Sequence, residues 1–221
     1  MKKLLIFDLD GTLIDTLEDL KNSVNYALNL HHFPLKSIED IRKAIGNGVA
    51  KLVARNIPNN EANPEYLDTL ADFRKHYSQN SCVFTKPYDG MSEALINLKT
   101  KGYILAVATN KLSSVARPMI EGFFPGLFDF IQGDEPGMDR KPAPMMVESL
   151  CQRFKVNKKE AFYIGDTNVD METAINSKVD FVLVTYGYRT KDELNVQCPD
   201  QPTIDSINEL DEYLRKIESN N

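Results

Sequence analysis

Leu4-Leu5-Ile6-Phe7-Asp8-Leu9-Asp10-Gly11-Thr12-Leu13 joins an apolar run to two carboxylates one residue apart, then a glycine and a hydroxyl. Four consecutive apolar residues bounded by a turn signal read as a strand buried on both faces. Residues i and i+2 of a strand point to the same side. Asp8 and Asp10 therefore face one pocket if the strand continues, and diverge if the chain turns at Gly11. A competing reading makes Asp10-Gly11 the turn of a β-hairpin. The rest of the chain has to decide between them.

From residue 101 onward, short apolar runs alternate with helical patterns. Residues 103–109, 128–132, 161–164 and 181–184 read as strands, and 113–122, 142–154 and 169–177 as the helices between them. A helix over 90–100 leads in, and another over 206–217 closes the series with Ile207, Leu210, Leu214 and Ile217 on one face. This alternation predicts an α/β fold with a doubly wound, Rossmann-like parallel sheet. Residues 16–81 break it, because they show helical periods and no convincing strand. Leu17, Leu20, Val24, Ala27 and Leu28 mark one helix, Val49, Leu52 and Val53 a second, and Tyr66, Leu67, Leu70, Phe73 and Tyr77 a third. The predicted organisation is a core of residues 1–15 and 82–221 with an α-helical cap domain, 16–81, inserted after the first strand. A module inserted there is a candidate lid over that strand's end.

Composition narrows the function classes. In 221 residues, 42% hydrophobic and 26% charged, there is enough apolar material for a folded core. The 26 basic residues against 32 acidic ones give a net charge of −6, the wrong sign for binding nucleic acid. The start imitates an export signal, but its apolar run stops at Asp8, and no stretch is long enough to span a membrane. A cytoplasmic protein without a membrane partner is the expectation. Cys82, Cys151 and Cys198 are widely spaced, with no C-x-x-C pair, and read as free thiols, buried or half-buried. His31, His32 and His76 receive no role.

Three further clusters fall at the carboxyl ends of predicted strands or in the loop that follows one. They are Thr109-Asn110-Lys111, Lys141 within Asp139-Arg140-Lys141-Pro142-Ala143-Pro144, and Gly165-Asp166-Thr167-Asn168-Val169-Asp170. In a parallel sheet these ends converge on one crevice. Each cluster alone also reads as local structure: a turn, a loop opening a helix, or acids in a helix's first turn. Their succession, with those residue types, points to one site shared with Asp8 and Asp10.

On these residues the chain resembles the haloacid dehalogenase superfamily. Its four motifs match Asp8-Leu9-Asp10-Gly11-Thr12-Leu13, Thr109, Lys141 and Gly165-Asp166-Thr167-Asn168-Val169-Asp170. Within it the chain looks most like the phosphoglycolate phosphatase group, through 14–20, 45–49, Pro87-Tyr88-Asp89-Gly90, Thr109-Asn110-Lys111 and Arg140-Lys141-Pro142. The resemblance implies a Mg2+-dependent phosphatase acting on a small-molecule phosphate ester such as 2-phosphoglycolate. Asp8 would be the nucleophile that forms an aspartyl phosphate, and Asp10 the general acid and base. Mg2+ would be held by the Asp8 carboxylate, the Asp10 backbone carbonyl and Asp166, with Asp170 just behind, orienting a water on the ion or Lys141. Thr109, the Asn110 amide and Lys141 would bind the transferring phosphoryl group.

Asp10 argues against a dehalogenase, which has no leaving alkoxide to protonate. A sugar-phosphate mutase, a pyrophosphatase or a nucleotidase of the same superfamily stays open. From another class, a phospho-accepting signalling receiver also groups acids, a threonine and a lysine at strand ends. Against it stand the helical insertion and the acceptor's place on the first strand. For the substrate, Gly46-Asn47-Gly48 before a cap helix, with Lys51 and Arg55 one and two turns on, is a candidate anion site. A glycine turn with a solvated basic face is the alternative. Residues 186–189, after the last core strand, either border the site or form an ordinary loop.

Overall fold

A computed structural model of the chain describes residues 2–219. It divides into two compact units: one runs to Ile14 and resumes at Pro87, and the other is Asp15–Lys86.

The first unit is built on β1 (Leu4–Phe7), β4 (Ile104–Leu112), β5 (Phe130–Asp134), β6 (Ala161–Gly165), β7 (Asp180–Val184) and β8 (Thr203–Ile204). The two chain crossings, β2 (Ile14–Asp15) and β3 (Lys86–Pro87), pair as a separate two-stranded ribbon. The large sheet has the order β5-β4-β1-β6-β7-β8, and every pairing in it is parallel. Phe7 lies in register with Val107 on one side and Ile164 on the other. With β1 flanked on both sides by parallel partners, the hairpin reading of Asp10-Gly11 fails. The chain builds outward from β1 in one direction, then returns to build in the other. Such a switch point leaves a crevice beyond the strands' carboxyl ends.

The apolar run of β1 is explained by burial on both faces. Leu5 and Phe7 point into one core layer with Leu105, Val107, Phe162 and Ile164. That layer is closed by residues of α5 (Met91–Thr100), α6 (Ser113–Phe123) and α10 (Leu210–Ser219). Leu4 and Ile6 point the other way, with Ala106, Ala108 and Tyr163, onto α7 (Met145–Phe154) and α8 (Asn168–Ser177).

Some predicted bounds move. β5 starts at Phe130 rather than 128, because Phe128 turns into the core against Phe7 and Asp129 bonds the Leu105 backbone. The helix expected from 142 starts at Met145, leaving 135–144 as the loop that carries Lys141. β8 and a short helix, α9 (Lys191–Gln197), were not expected. Cys151 and Cys198 are buried, whereas Cys82 is exposed, unlike the reading above.

The second unit holds α1 (Leu17–Leu30), α2 (Ile38–Ala44), α3 (Val49–Asn56) and α4 (Tyr66–Asn80). Its core includes Leu20, Val24, Leu28, Ile41, Leu52, Val53, Leu70 and Phe73. α2 lacked a long apolar period and went unread, although Ser37 and Asp40 form a reciprocal cap at its start. The second crossing falls at Lys86/Pro87 rather than at 81/82. Buried Asp19 of α1 accepts bonds from the Phe84 and Thr85 amides and the Thr85 hydroxyl, tying that segment to the helices. No helix among the described residues is long and apolar enough to cross a membrane.

Candidate active site

Asp8 follows the last residue of β1, and its amide still donates to Ile164 O. At Gly11 the backbone takes a positive φ of 89°, and the Gly11 amide bonds Ile14 O, so the chain doubles back immediately after Asp10. A side chain at Gly11 would strike the Asp166 carboxylate, its Cβ only 2.3 Å from Oδ2. The turn thus needs glycine twice over, for conformation and for room.

Asp166 and Asp170 arrive from the β6–α8 junction. Their carboxylates and that of Asp8 offer oxygens that all lie within 4.8 Å of one another, and all three side chains are buried. Asp170 is saturated. Its Oδ1 accepts from Lys141 Nζ at 2.8 Å and Tyr163 OH at 3.1 Å. Its Oδ2 accepts from the Asp166 and Thr167 amides and the Thr167 hydroxyl, at 3.2, 3.0 and 2.7 Å. Asp166 is less crowded: Oδ1 accepts from Thr12 Oγ1 at 3.1 Å and Oδ2 from the Tyr188 amide at 2.8 Å. No cationic side chain pairs with Asp166 among the described residues.

Lys141 is buried, and its ammonium donates to Asp8 at 2.8 Å, Asp170 at 2.8 Å and Tyr163 OH at 2.9 Å, its full complement of three. Asn110 positions it, as its side chain donates to Lys141 O at 3.0 Å and accepts from Lys141 N at 2.8 Å. Thr109 is buried at the same strand end, where its hydroxyl accepts from the Lys111 amide at 3.2 Å. Lys111 reaches across to Asp10 and contacts both carboxylate oxygens, at 2.8 and 3.1 Å.

The electrostatics follow from crowding charge in a dry place. Burial pushes the Asp8 carboxyl up to about 7, with Asp170 and Asp10 adding to the effect and Lys141 opposing it. Burial, Asp170 and Asp8 drive Asp166 well above the carboxylate range. Burial acts the same way on Asp170, but there Lys141, Thr167 and Tyr163 outweigh it and hold the group below its usual range. For Lys141, burial opposes the charge, and Asp170 and Asp8 overcome it, raising the ammonium well above its ordinary value. Asp8, Asp166 and Asp170 thus have one ammonium among them, that of Lys141 on Asp8 and Asp170, and a divalent cation between Asp8 and Asp166 would offset their crowded charge. The ligand atoms that Asp8 and Asp166 offer are carboxylate oxygens, which suit a hard cation.

The structure therefore gathers Asp8, Asp10, Thr109, Asn110, Lys141, Asp166 and Asp170 at one end of the sheet. The remaining predicted residues belong to the helical unit. There, Arg55 donates to Ala44 O, Gly46 O and Asn47 Oδ1, bracing the 46–48 turn, while Lys51 pairs with Glu61. Sequence reasoning gave no role to Thr12, Lys111, Tyr163, Thr167 or Tyr188. Thr12, Lys111 and Thr167 stand inside the motifs, whereas Tyr163 is hidden in an apolar strand. Of residues 186–189, Gly187 and Tyr188 lie against Asp166: the Tyr188 amide bonds it, and a Cβ at Gly187 would fall 2.3 Å from Gly11 O and 2.4 Å from Asp166 Cβ.

Comparison with known proteins agrees with this geometry. Residues 5–184 match the family model of haloacid dehalogenase-like hydrolases. A phosphoglycolate phosphatase of Colwellia psychrerythraea is 32% identical over 216 residues, spanning 95% of each chain. One of Aquifex aeolicus is 32% identical over 90% of each. The solved structure of a Lactobacillus delbrueckii subsp. bulgaricus protein, provisionally named a phosphoglycolate phosphatase, superposes with a TM-score of 0.91. It shares 32% identity over 96% of this chain and 98% of that one. With its buried aspartates, its paired lysines and matches of this extent, the chain belongs to the haloacid dehalogenase-like hydrolases.

Proposed function

We propose that the chain is a phosphatase that hydrolyses small phosphomonoesters through a covalent phosphoaspartate on Asp8, with 2-phosphoglycolate as its leading substrate. The observation that carries the reading is the clamp on Asp8: a buried carboxylate held at 2.8 Å by Lys141 beside a second, separately paired carboxylate, Asp10. The names of the relatives support the choice of substrate.

In this reading, Asp8 attacks phosphorus and the bond to the ester oxygen breaks. Asp10 donates its proton to the departing alkoxide. A water then attacks the phosphoaspartate, Asp10 takes the water's proton, and cleavage of the Asp8–phosphorus bond releases phosphate. Lys141 holds the nucleophile in place and offsets negative charge as the phosphoryl group moves. The Thr109 hydroxyl and the Asn110 backbone amide serve as donors to its oxygens. A Mg2+ ion, held by Asp8, the Asp10 backbone carbonyl and Asp166, would supply the further positive charge that a dianionic substrate needs. Asp170, with both oxygens already engaged, serves to fix Lys141 rather than to ligate the ion. This chemistry uses none of the helical unit's residues.

The test is phosphate release from 2-phosphoglycolate, sugar phosphates, nucleotides and pyrophosphate, side by side, with Mg2+ and after chelation. The expected result is Mg2+-dependent turnover that is fastest on 2-phosphoglycolate. A faster rate on another of these would reassign the substrate, and turnover by Asp8→Asn at the wild-type rate would overturn the nucleophile.

A further inference from the structure

Lys111 is the one charged side chain of this cluster for which the proposed chemistry has no task. Its side chain is only 4% exposed, while that of its partner Asp10, at 21%, is the most open of the paired groups. The ammonium bridges both Asp10 oxygens, so it sits against the carboxylate proposed to meet the leaving-group oxygen. Two hydrogen-bond lengths in series place that ammonium within about 6 Å of the leaving group's first atoms. Lysine is a point charge on a flexible stem, able to exchange one anionic partner for another without moving the backbone. Lys141 is already committed in the proposed chemistry, to Asp8 and Asp170.

We propose that Lys111 selects the substrate: in the complex its ammonium exchanges Asp10 for a second anionic group, a carboxylate one carbon from the ester oxygen. The inference rests on the phosphatase reading and adds to it the residue that distinguishes a phosphorylated acid from a neutral phosphate ester.

The experiment measures binding as well as turnover, so the two claims can fail separately. The probes are 3-phosphonopropionate, which has the shape of phosphoglycolate with a methylene in place of the ester oxygen, and propylphosphonate, which lacks the carboxylate. Calorimetric titration of the Mg2+-loaded wild type should favour 3-phosphonopropionate. Lys111→Met should reduce that preference by about 10–100-fold, the worth of a charged hydrogen bond, and Lys111→Arg should keep most of it. The kcat/KM ratio of 2-phosphoglycolate to an aryl phosphate should fall in parallel in Lys111→Met. An unchanged preference in Lys111→Met, or no preference in the wild type, would overturn the assignment. Absence of turnover by the wild type on every ester, with its binding preference present and lost in Lys111→Met, would instead count against the phosphatase reading alone.

Discussion

The Asn110 side chain grips the Lys141 peptide from both sides, donating to its carbonyl at 3.0 Å and accepting from its amide at 2.8 Å. The two residues lie 31 positions apart, at the end of β4 and in the loop after β5. The grip ties the loop that presents the ammonium directly to β4. Asn110→Ala is expected to lower kcat by about 10–100-fold, the scale of a catalytic group displaced by a fraction of its reach. Mg2+ affinity should be unchanged, because Asn110 touches none of the carboxylates assigned to the ion. Steady-state kinetics on an aryl phosphate, with Mg2+ titration in parallel, checks both halves.

Asp8→Asn should abolish turnover and make the metal-free protein harder to melt. The folded protein holds the Asp8 carboxyl near 7, above its unfolded value of 3.8, so the ionised group opposes folding as pH rises through that interval. Removing the charge relieves the cost, and each kcal/mol recovered corresponds to about 2–4 °C in Tm for a chain of this size. Thermal melts at pH 8 in chelator should show Asp8→Asn above wild type. Saturating Mg2+ should shrink or reverse the difference.

Asp10→Asn is expected to slow catalysis by about 10²–10⁴-fold, the usual value of a positioned proton donor. Mg2+ binding should survive, since the backbone carbonyl assigned to the ion is retained. A variant that loses the ion would show that the side chain, not the peptide, is the ligand.

Gly187→Ala tests the wall behind Asp166. The added methyl would fall 2.3 Å from Gly11 O and 2.4 Å from Asp166 Cβ, so the turn or the carboxylate must shift. Disturbing the groups that orient a ligand typically costs 10–100-fold in metal affinity, and a loss of about that size is expected here. Isothermal titration with Mg2+ measures it directly.

The helical unit carries its own pH dependence. His31 meets Glu65 through Nδ1 at 2.9 Å and Asp72 through Nε2 at 3.0 Å. Burial pulls its pKa down, but the two carboxylates outweigh it and raise it above 6.5. The resulting stabilisation is complete below the unfolded pKa and disappears as pH climbs through the folded one. Amide exchange in α1 and α4 should therefore be faster in His31→Gln than in wild type at pH 6, and the gap should narrow by pH 9.

How much was readable in advance depended on whether the signal was linear along the chain. β1, β4, β6 and β7 were legible because strands buried on both faces must be apolar throughout. The acids and Lys141 were legible because their residue types recur at strand ends or in the loop beyond. α2 and α9 escaped because each has few apolar residues. Their reciprocal caps, Ser37 with Asp40 and Thr190 with Glu193, were present but unread. Two-residue β8 is too short to show a period. Tyr163 could not be singled out because only the folded sheet reveals that its hydroxyl meets Lys141 and Asp170. Lys111 was visible in its motif, yet its partner lies 101 positions away, a distance no local pattern encodes.

Asp170, in the first turn of α8, has one oxygen on Asp166 and Thr167, which lead into that helix, and the other on Lys141. A single carboxylate thus caps the start of a helix and holds the ammonium of Lys141. The start of the helix and the place of the ammonium therefore depend on one side chain: a chain in which that first turn frays is expected to lose the alignment of its ammonium as well. Partly folded molecules should accordingly be inert rather than sluggish, and substitutions that loosen the start of this helix would register as lost chemistry before they register as lost structure.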